Sequence, residues 1–562
     1  MRRAPAAGRR KALLALLAVT VLKLWLVAVQ PLYACSSLPD DVAFLRLGAS
    51  IASGQWLGSY DQYTLIKGPV YPAFLAWVAA LGAPLLLSQQ LVYALACAAF
   101  ALALRPLAHS RTALVGLYLL LLLDPASFAG DQQRVAREGI YPAETLLVFA
   151  ALGAVLARRL ASLPLLLSRC AGLGVALSLF WLTREEGVWL AAPLAIALAW
   201  LAWDLARRRT PDRALRLACL LVPIAFVALA SAALVRVNRE RYGVPARVEL
   251  DAPQFAAAIG ALMRASPDSP DAAIPVPSFA RQRLYPLSPA FRELEPFLEG
   301  PSAQGFARRS QDEFARFPGE REILGSWWVW AVRDAAARSG HHASGAEAMR
   351  FYAQLAQEID AACSQRQVPC GPQRSALYPP LRIAYLPSML GSAGSLVARL
   401  VRMNGLDPRA PPSPVRPGDI ELFERGTRNR IEPPAGAPPS ALPAPYLAAA
   451  RVAALEGVAS AFEWLAPLLG AAGLAAFGLA VATPRRVVVD PLFLVCAVLL
   501  AAVLARIALL SVIDVVSFPT GRPRLLAPLY PLWLAFCALS LDMAVALRGA
   551  AGAQPSGPAT PG

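Results

Sequence analysis

At 562 residues, with 57% hydrophobic and only 16% charged, the chain falls well below the roughly one-quarter charged residues of soluble proteins. Its formal net charge of +16 lies largely in short loops between apolar runs, where it reads as a topology signal. No nucleic-acid motif accompanies that charge, so no nucleic-acid partner is expected. Several apolar runs reach the roughly 20 residues that cross a bilayer, and lipid forces such runs to be helical. The expected fold class is therefore an all-α polytopic membrane protein.

The first apolar run, from about Ala12 to Pro31, follows Arg2, Arg3, Arg9, Arg10 and Lys11. It is longer than the 7–15 residues of a signal-peptide core, so it reads as a retained helix with a cytoplasmic N-terminus. The stretch Ser36–Pro72 comes next and is the densest in chemistry. It holds the acidic pair Asp40 and Asp41, then an amphipathic segment from Phe44 to Trp56 expected to lie along the membrane interface. It ends with Lys67, the sole lysine after Lys23, set in a Gly-Pro turn. Val70 to Ala83 is too short to span and reads as a re-entrant or interfacial piece.

Further spans are expected near 85–104 and 113–129, then one returning to Arg158 and Arg159, one ending near Leu182, one returning to Arg207, Arg208 and Arg209, and one near 214–237. Between them lie a loop with Asp131, Arg134, Arg137 and Glu138, and another with Thr183, Arg184, Glu185, Glu186 and Gly187. Residues from Asn238 to Pro445 lack a spanning run and are of domain size. Phe351, Leu355 and Ile359 share a helical face there, and Cys363 and Cys370, seven apart, would close a small disulfide in an oxidising compartment. The last spans fall within 450–482, near 488–513 and near 525–547. A loop with Asp514, Arg522 and Arg524 separates the final two. The expected division is 1–237, 238–445, 446–548 and a disordered tail, 549–562.

This makes about ten spans, by the length a bilayer demands. When plain Arg/Lys clusters set orientation, all four loops that mix acids and bases fall on the outer face, together with 238–445. Such a gathering suits transfer from a lipid-anchored phosphate. A carboxylate, Asp40 or Asp41, would take the proton of an attacking hydroxyl. Lys67, Arg522 and Arg524 would hold the phosphate, and Arg137, Glu138, Arg184, Glu185 and Glu186 would orient the parts.

The residues also carry a resemblance. The acidic pair, Trp56-Leu57-Gly58 with Tyr60, and Lys67-Gly68-Pro69-Val70-Tyr71-Pro72 resemble the first outer loop of the C-type glycosyltransferase superfamily. That superfamily includes protein O-mannosyltransferases and the aminoarabinose transferase of lipid A. Arg524 to Pro531 is similar to its late Arg-Tyr-x-x-Pro-x-x-Pro stretch, with Leu525 in place of the tyrosine. Thr183 to Gly187 is similar to its Thr-Arg-Pro-Glu-Gly turn. The resemblance covers about 10–235 and 450–548 and leaves the middle region uncovered. It implies a polyprenyl-phosphate-linked sugar donor, an envelope acceptor (glycan, lipid or protein) and an inverting transfer outside the cytoplasmic membrane. It makes Asp40 the first choice of base and Asp41 the second. No cofactor is expected, and no spacing indicates a metal.

Plainer readings stay open beside these. The acidic pair would also cap a helix starting near Val42. Lys67 would snorkel to headgroups, and Arg522 and Arg524 would bind anionic lipid. Arg137 and Glu138 would pair with each other, and Glu185 and Glu186 would cap the next helix. Trp327, Trp328 and Trp330 read either as a sugar-stacking platform or as packing and anchoring residues. A transporter or flippase of lipid-linked glycans, and a non-catalytic scaffold, are the competing functions. Helix interiors with few charges, Arg506 the main exception, and no internal repeat weigh against transport.

Overall fold

Long apolar runs bounded by Pro, Ser and Gly become helices because each closes its own backbone hydrogen bonds. The computed structural model describes residues 6–36, 38–208, 210–269, 271–375, 377–437, 445–482 and 490–552. Arg2, Arg3, Arg485, Arg486, residues 438–444 of the Pro-rich stretch and the tail from 553 lie outside the described residues. The chain is an all-α polytopic membrane protein. Among the described residues, eight helices are long and apolar enough to cross a membrane: Leu85–Leu104, Tyr141–Arg158, Leu163–Thr183, Glu185–Arg207, Arg213–Tyr242, Pro445–Val481, Pro491–Val516 and Leu529–Leu547.

Three expectations change. The first helix is Ala6–Val27, ending before the expected Pro31. The span expected over 113–129 is the helix Arg111–Leu122, 12 residues or about 18 Å, which is short of the ~30 Å apolar layer. The helix ends at its C-cap, Leu123, and Asp124 caps the 3-10 turn Pro125–Ser127 by accepting from the Ala126 amide; a second 3-10 turn follows at Gly130–Gln132. The amphipathic segment Ala43–Ala52 does not lie free at an interface. Phe44, Leu45 and Leu47 are buried, and the helix packs on Val70–Leu81.

The bundle core holds Phe100, Leu121, Phe149, Leu166, Leu201, Leu499 and Phe536. A second core joins Leu47, Leu57 and Leu65 to residues between Tyr242 and Val368 and is built around Phe255, Leu262, Trp328 and Tyr352. Pro253–Arg264 packs there on Gly345–Ser364, whose Phe351, Leu355 and Ile359 are buried on one face. A disulfide joins Cys363 to Cys370 at the end of that helix. Leu396, Leu400, Met403 and Leu406, in and after the helix Leu386–Arg402, belong to the bundle core.

A third apolar cluster joins the chain's beginning to its late loop: Leu32, Val42, Phe44 and Tyr71 pack with Phe423 and Ile431. Backbone bonds lace the two. Leu32 N–H donates to the Arg430 carbonyl at 2.7 Å, and Glu432 N–H donates to the Leu32 carbonyl at 2.8 Å. Gln30 reaches the Pro408 carbonyl at 2.8 Å, and the Ala34 amide donates to Ser413 Oγ at 3.0 Å. The segment that delivers the acidic pair is thus gripped from both sides.

Candidate active site

Asp40 and Asp41 lie in one wide helical turn, Leu38–Val42, ahead of Ala43–Ala52. No side chain caps that helix at Val42, so the carboxylates do other work. Successive residues point apart, and the two acids have different surroundings. Asp41 is fully buried and accepts from both Nε (3.1 Å) and Nη2 of Arg134. Burial pushes its carboxyl up to about 6 against the pull of Arg134. Asp40 is 41% exposed and pairs with Lys67, Nζ to Oδ1 at 3.0 Å. Burial would raise its pKa, but Lys67, Arg134 and Arg524 together hold it well below the usual carboxylate range.

Lys67 is only 12% exposed on its side chain. Its ammonium also stands 5.3 Å from the centre of the Trp330 ring. The charge is spent inside the protein, which departs from the snorkelling alternative. Gly68, next to it, admits no side chain: a Cβ there would run into the Leu182 carbonyl. The Gly68 amide donates to Glu185 Oε1 at 3.2 Å, which ties the turn to the third loop.

The supporting charges form a crossed network. Arg137 does not pair with its neighbour Glu138, because adjacent residues do not face each other. Instead Arg137 reaches Glu185 at 2.5 Å, and Arg184 reaches Glu138 at 2.8 Å and Glu186 at 3.2 Å. Glu185 and Glu186 therefore do not act as caps, and no side chain caps their turn. Arg506, fully buried in its helix, extends the chain by donating to Glu186 at 3.2 Å. Glu138 is held down to about 2; burial opposes this, and Arg184, Arg524 and Arg137 outweigh it.

Arg522 pairs with Glu313 at 3.2 Å. Arg524 makes no ion pair among the described residues, and its buried Nε lacks a hydrogen-bond partner. Burial first, then repulsion from Arg134, lowers its pKa. A cationic group so placed has capacity for an anion. Asp40, Arg134, Arg522 and Arg524 share the wall of one cavity of about 610 Å³ with Arg309 and Arg416. Five arginines face three carboxylates there, Asp40, Asp312 and Glu313.

Thus Asp40, Lys67, Arg522 and Arg524 come together at or beside this cavity. Asp41, Arg137, Glu138, Arg184, Glu185 and Glu186 form the charged layer behind them. Cys363 lies in the second core and Cys370 packs against it. Sequence reading did not assign Arg134 a role, although it lies in a loop already marked by mixed charge. Arg309 and Arg416 carried no signal, since only the fold brings 309 and 416 to residue 40. Among the described residues, no group of three or more His, Cys, Asp or Glu is placed to hold a metal ion.

No protein-family model matches the chain, and no curated protein matches it in sequence. Among solved structures, the crystal structure of ArnT from Cupriavidus metallidurans bound to undecaprenyl phosphate is matched over 98% of this chain and 79% of that chain. The identity is 13% and the TM-score 0.29. A superposition that loose carries no chemistry across, so function has to be read from the site itself.

Proposed function

We propose that this protein is an integral membrane glycosyltransferase. It moves a sugar from a polyprenyl-phosphate donor to an envelope acceptor on the outer side of the cytoplasmic membrane, with inversion. One observation carries the reading: the Asp40 carboxylate shares a cavity with five arginines, beside a lysine it already holds. Arginines that outnumber carboxylates suit a phosphate monoanion or diester. A carboxylate next to them suits proton removal from the attacking hydroxyl.

The acceptor oxygen forms a bond to the anomeric carbon as the bond from that carbon to the phosphate oxygen breaks. The bonding pair leaves with the phosphate, and the hydroxyl proton goes to Asp40. Arg524, Arg522 and Lys67 meet the charge that builds on the phosphate. A bound phosphate competes with Asp40 for Lys67. As Lys67 turns to the phosphate, the proton affinity of Asp40 rises, and a weak base becomes a better one once the donor has arrived.

The test is binding of a polyprenyl-phosphate sugar to the purified protein. Saturable binding to wild type, lost in Lys67→Ala and in Arg524→Ala, is expected. Wild-type binding that neither variant changes would overturn the assignment of the phosphate site.

A further inference from the structure

A second cavity of about 260 Å³ abuts the first, sharing Ser36, Arg309, Trp327 and Arg416 with it. Its own wall adds aromatic rings, Phe306, Trp330 and Tyr63, with Ser302 and Asp334 beside Arg333 and Arg338. The three consecutive-turn tryptophans divide here. Trp328 is completely buried in the core, while Trp327 and Trp330 line the cavity. Both lining indoles are fixed before any ligand arrives. Trp327 donates from Nε1 to Glu313 at 2.6 Å, and its ring stands 6.1 Å from Phe306. Trp330 is held under Lys67 at 5.3 Å.

Asp334 spends one oxygen only. Its Oδ2 accepts from Ser302 Oγ at 2.8 Å and from Arg338 Nε at 2.7 Å. Among the described residues Oδ1 has no partner, so it is left to accept from a ligand hydroxyl. Rigid aromatic rings beside a carboxylate oxygen match the two faces of a pyranose: C–H groups for the rings, hydroxyls for the carboxylate. The volume lies just under the ~300 Å³ where drug-sized pockets begin, so it suits a sugar ring rather than a folded peptide segment.

Resting on the glycosyltransferase reading above, we propose that this second cavity is the acceptor subsite and that the acceptor is a glycan. Lys67 links the two sites, since it pairs with Asp40 in the first and stands over Trp330 in the second. A sugar seated on the aromatic wall presents a hydroxyl across the shared boundary. Its oxygen bonds to the donor's anomeric carbon, the phosphate leaves with the bonding pair, and the proton passes to Asp40.

The experiment uses the full chain in detergent, with saturation-transfer NMR of methyl glucoside, methyl mannoside and methyl galactoside. A serine-containing hexapeptide is the competing probe, and polyprenyl-phosphate binding is followed in the same preparation. At least one glycoside is expected to bind saturably. Phe306→Ala and Asp334→Asn, which line only this cavity, are each expected to weaken it about tenfold, or about 1.4 kcal/mol, with donor-lipid binding kept. Donor binding with no glycoside binding, peptide binding in its place, or glycoside binding unchanged in both variants would overturn the subsite. Glycoside binding without any donor-lipid binding would overturn the acceptor role together with the reading beneath it.

Discussion

Lys67 Nζ lies 3.0 Å from the Asp40 carboxylate, so the first-choice base is already paired with the group expected to receive the donor phosphate. The same ion pair keeps Asp40 ionised and keeps it a poor base. Asp40→Asn is expected to abolish transfer while the protein still inserts and melts cooperatively. Asp40 is 41% exposed, and exposed pairs add little to stability. A transfer assay beside a thermal melt of the same preparation checks this; full activity would remove Asp40 from the reaction.

Asp41 and Arg134 behave oppositely. Both are buried, and Arg134→Ala leaves a buried carboxylate with no counter-charge. The expected loss is about 3–5 kcal/mol, the usual cost of removing one partner of a buried pair. A lowered melting temperature with donor affinity changed no more than the folded fraction requires would fit. Unchanged stability with lost donor binding would make Arg134 a ligand instead.

Glu138 links stability to pH. Its pKa is lowered from 4.5 to about 2 in the folded protein. A depressed carboxyl stabilises the fold above its unfolded pKa, and that stability is lost as pH falls from about 4.5 towards 2. Glu138→Gln is therefore expected to lower stability at pH 7 and to flatten the acid side of the profile. Melting curves from pH 7 down to 3 for both proteins decide it; parallel curves would mean Glu138 is not the linked group.

The Cys363–Cys370 bridge closes a loop of seven residues' separation. Loop-closure entropy for so short a loop is worth about 2.5 kcal/mol. Replacing both cysteines by serine is expected to lower the melting temperature of the second core and to spare donor binding. A double variant that melts like wild type would show that the core does not use the constraint.

Gly68→Ala tests the turn that carries Lys67. With the Leu182 carbonyl where a methyl would go, the turn has to move, and Lys67 moves with it. Weakened donor binding is expected even though no charge changes. Binding equal to wild type would show that the turn relaxes freely.

The membrane class and most helices were legible because the apolar runs are long and the bilayer accepts little else. Hydropathy continues past Leu122 and predicts a span over 113–129, whereas the helix stops there and Asp124 starts a 3-10 turn by accepting from the Ala126 amide. The candidate site residues were legible as loops with mixed charge, but their pairing was not. Arg137 meets Glu185 and Arg184 meets Glu138, across separations of 48 and 46 residues, where adjacency suggested Arg137 with Glu138. Trp327, Trp328 and Trp330 form one cluster in sequence, yet the helical turn sends Trp328 to the core and the other two to the cavity.

The lacing of Leu32 to Arg430 and Glu432 has a consequence for biosynthesis. Asp40 and Asp41 leave the ribosome early, but the strap that fixes their segment is made some 400 residues later. At synthesis rates of about 5–20 residues per second, the early helices wait tens of seconds in the bilayer before the cavity can close. During that interval the acidic pair has Lys67 and Arg134 as partners but not the strap that fixes its backbone.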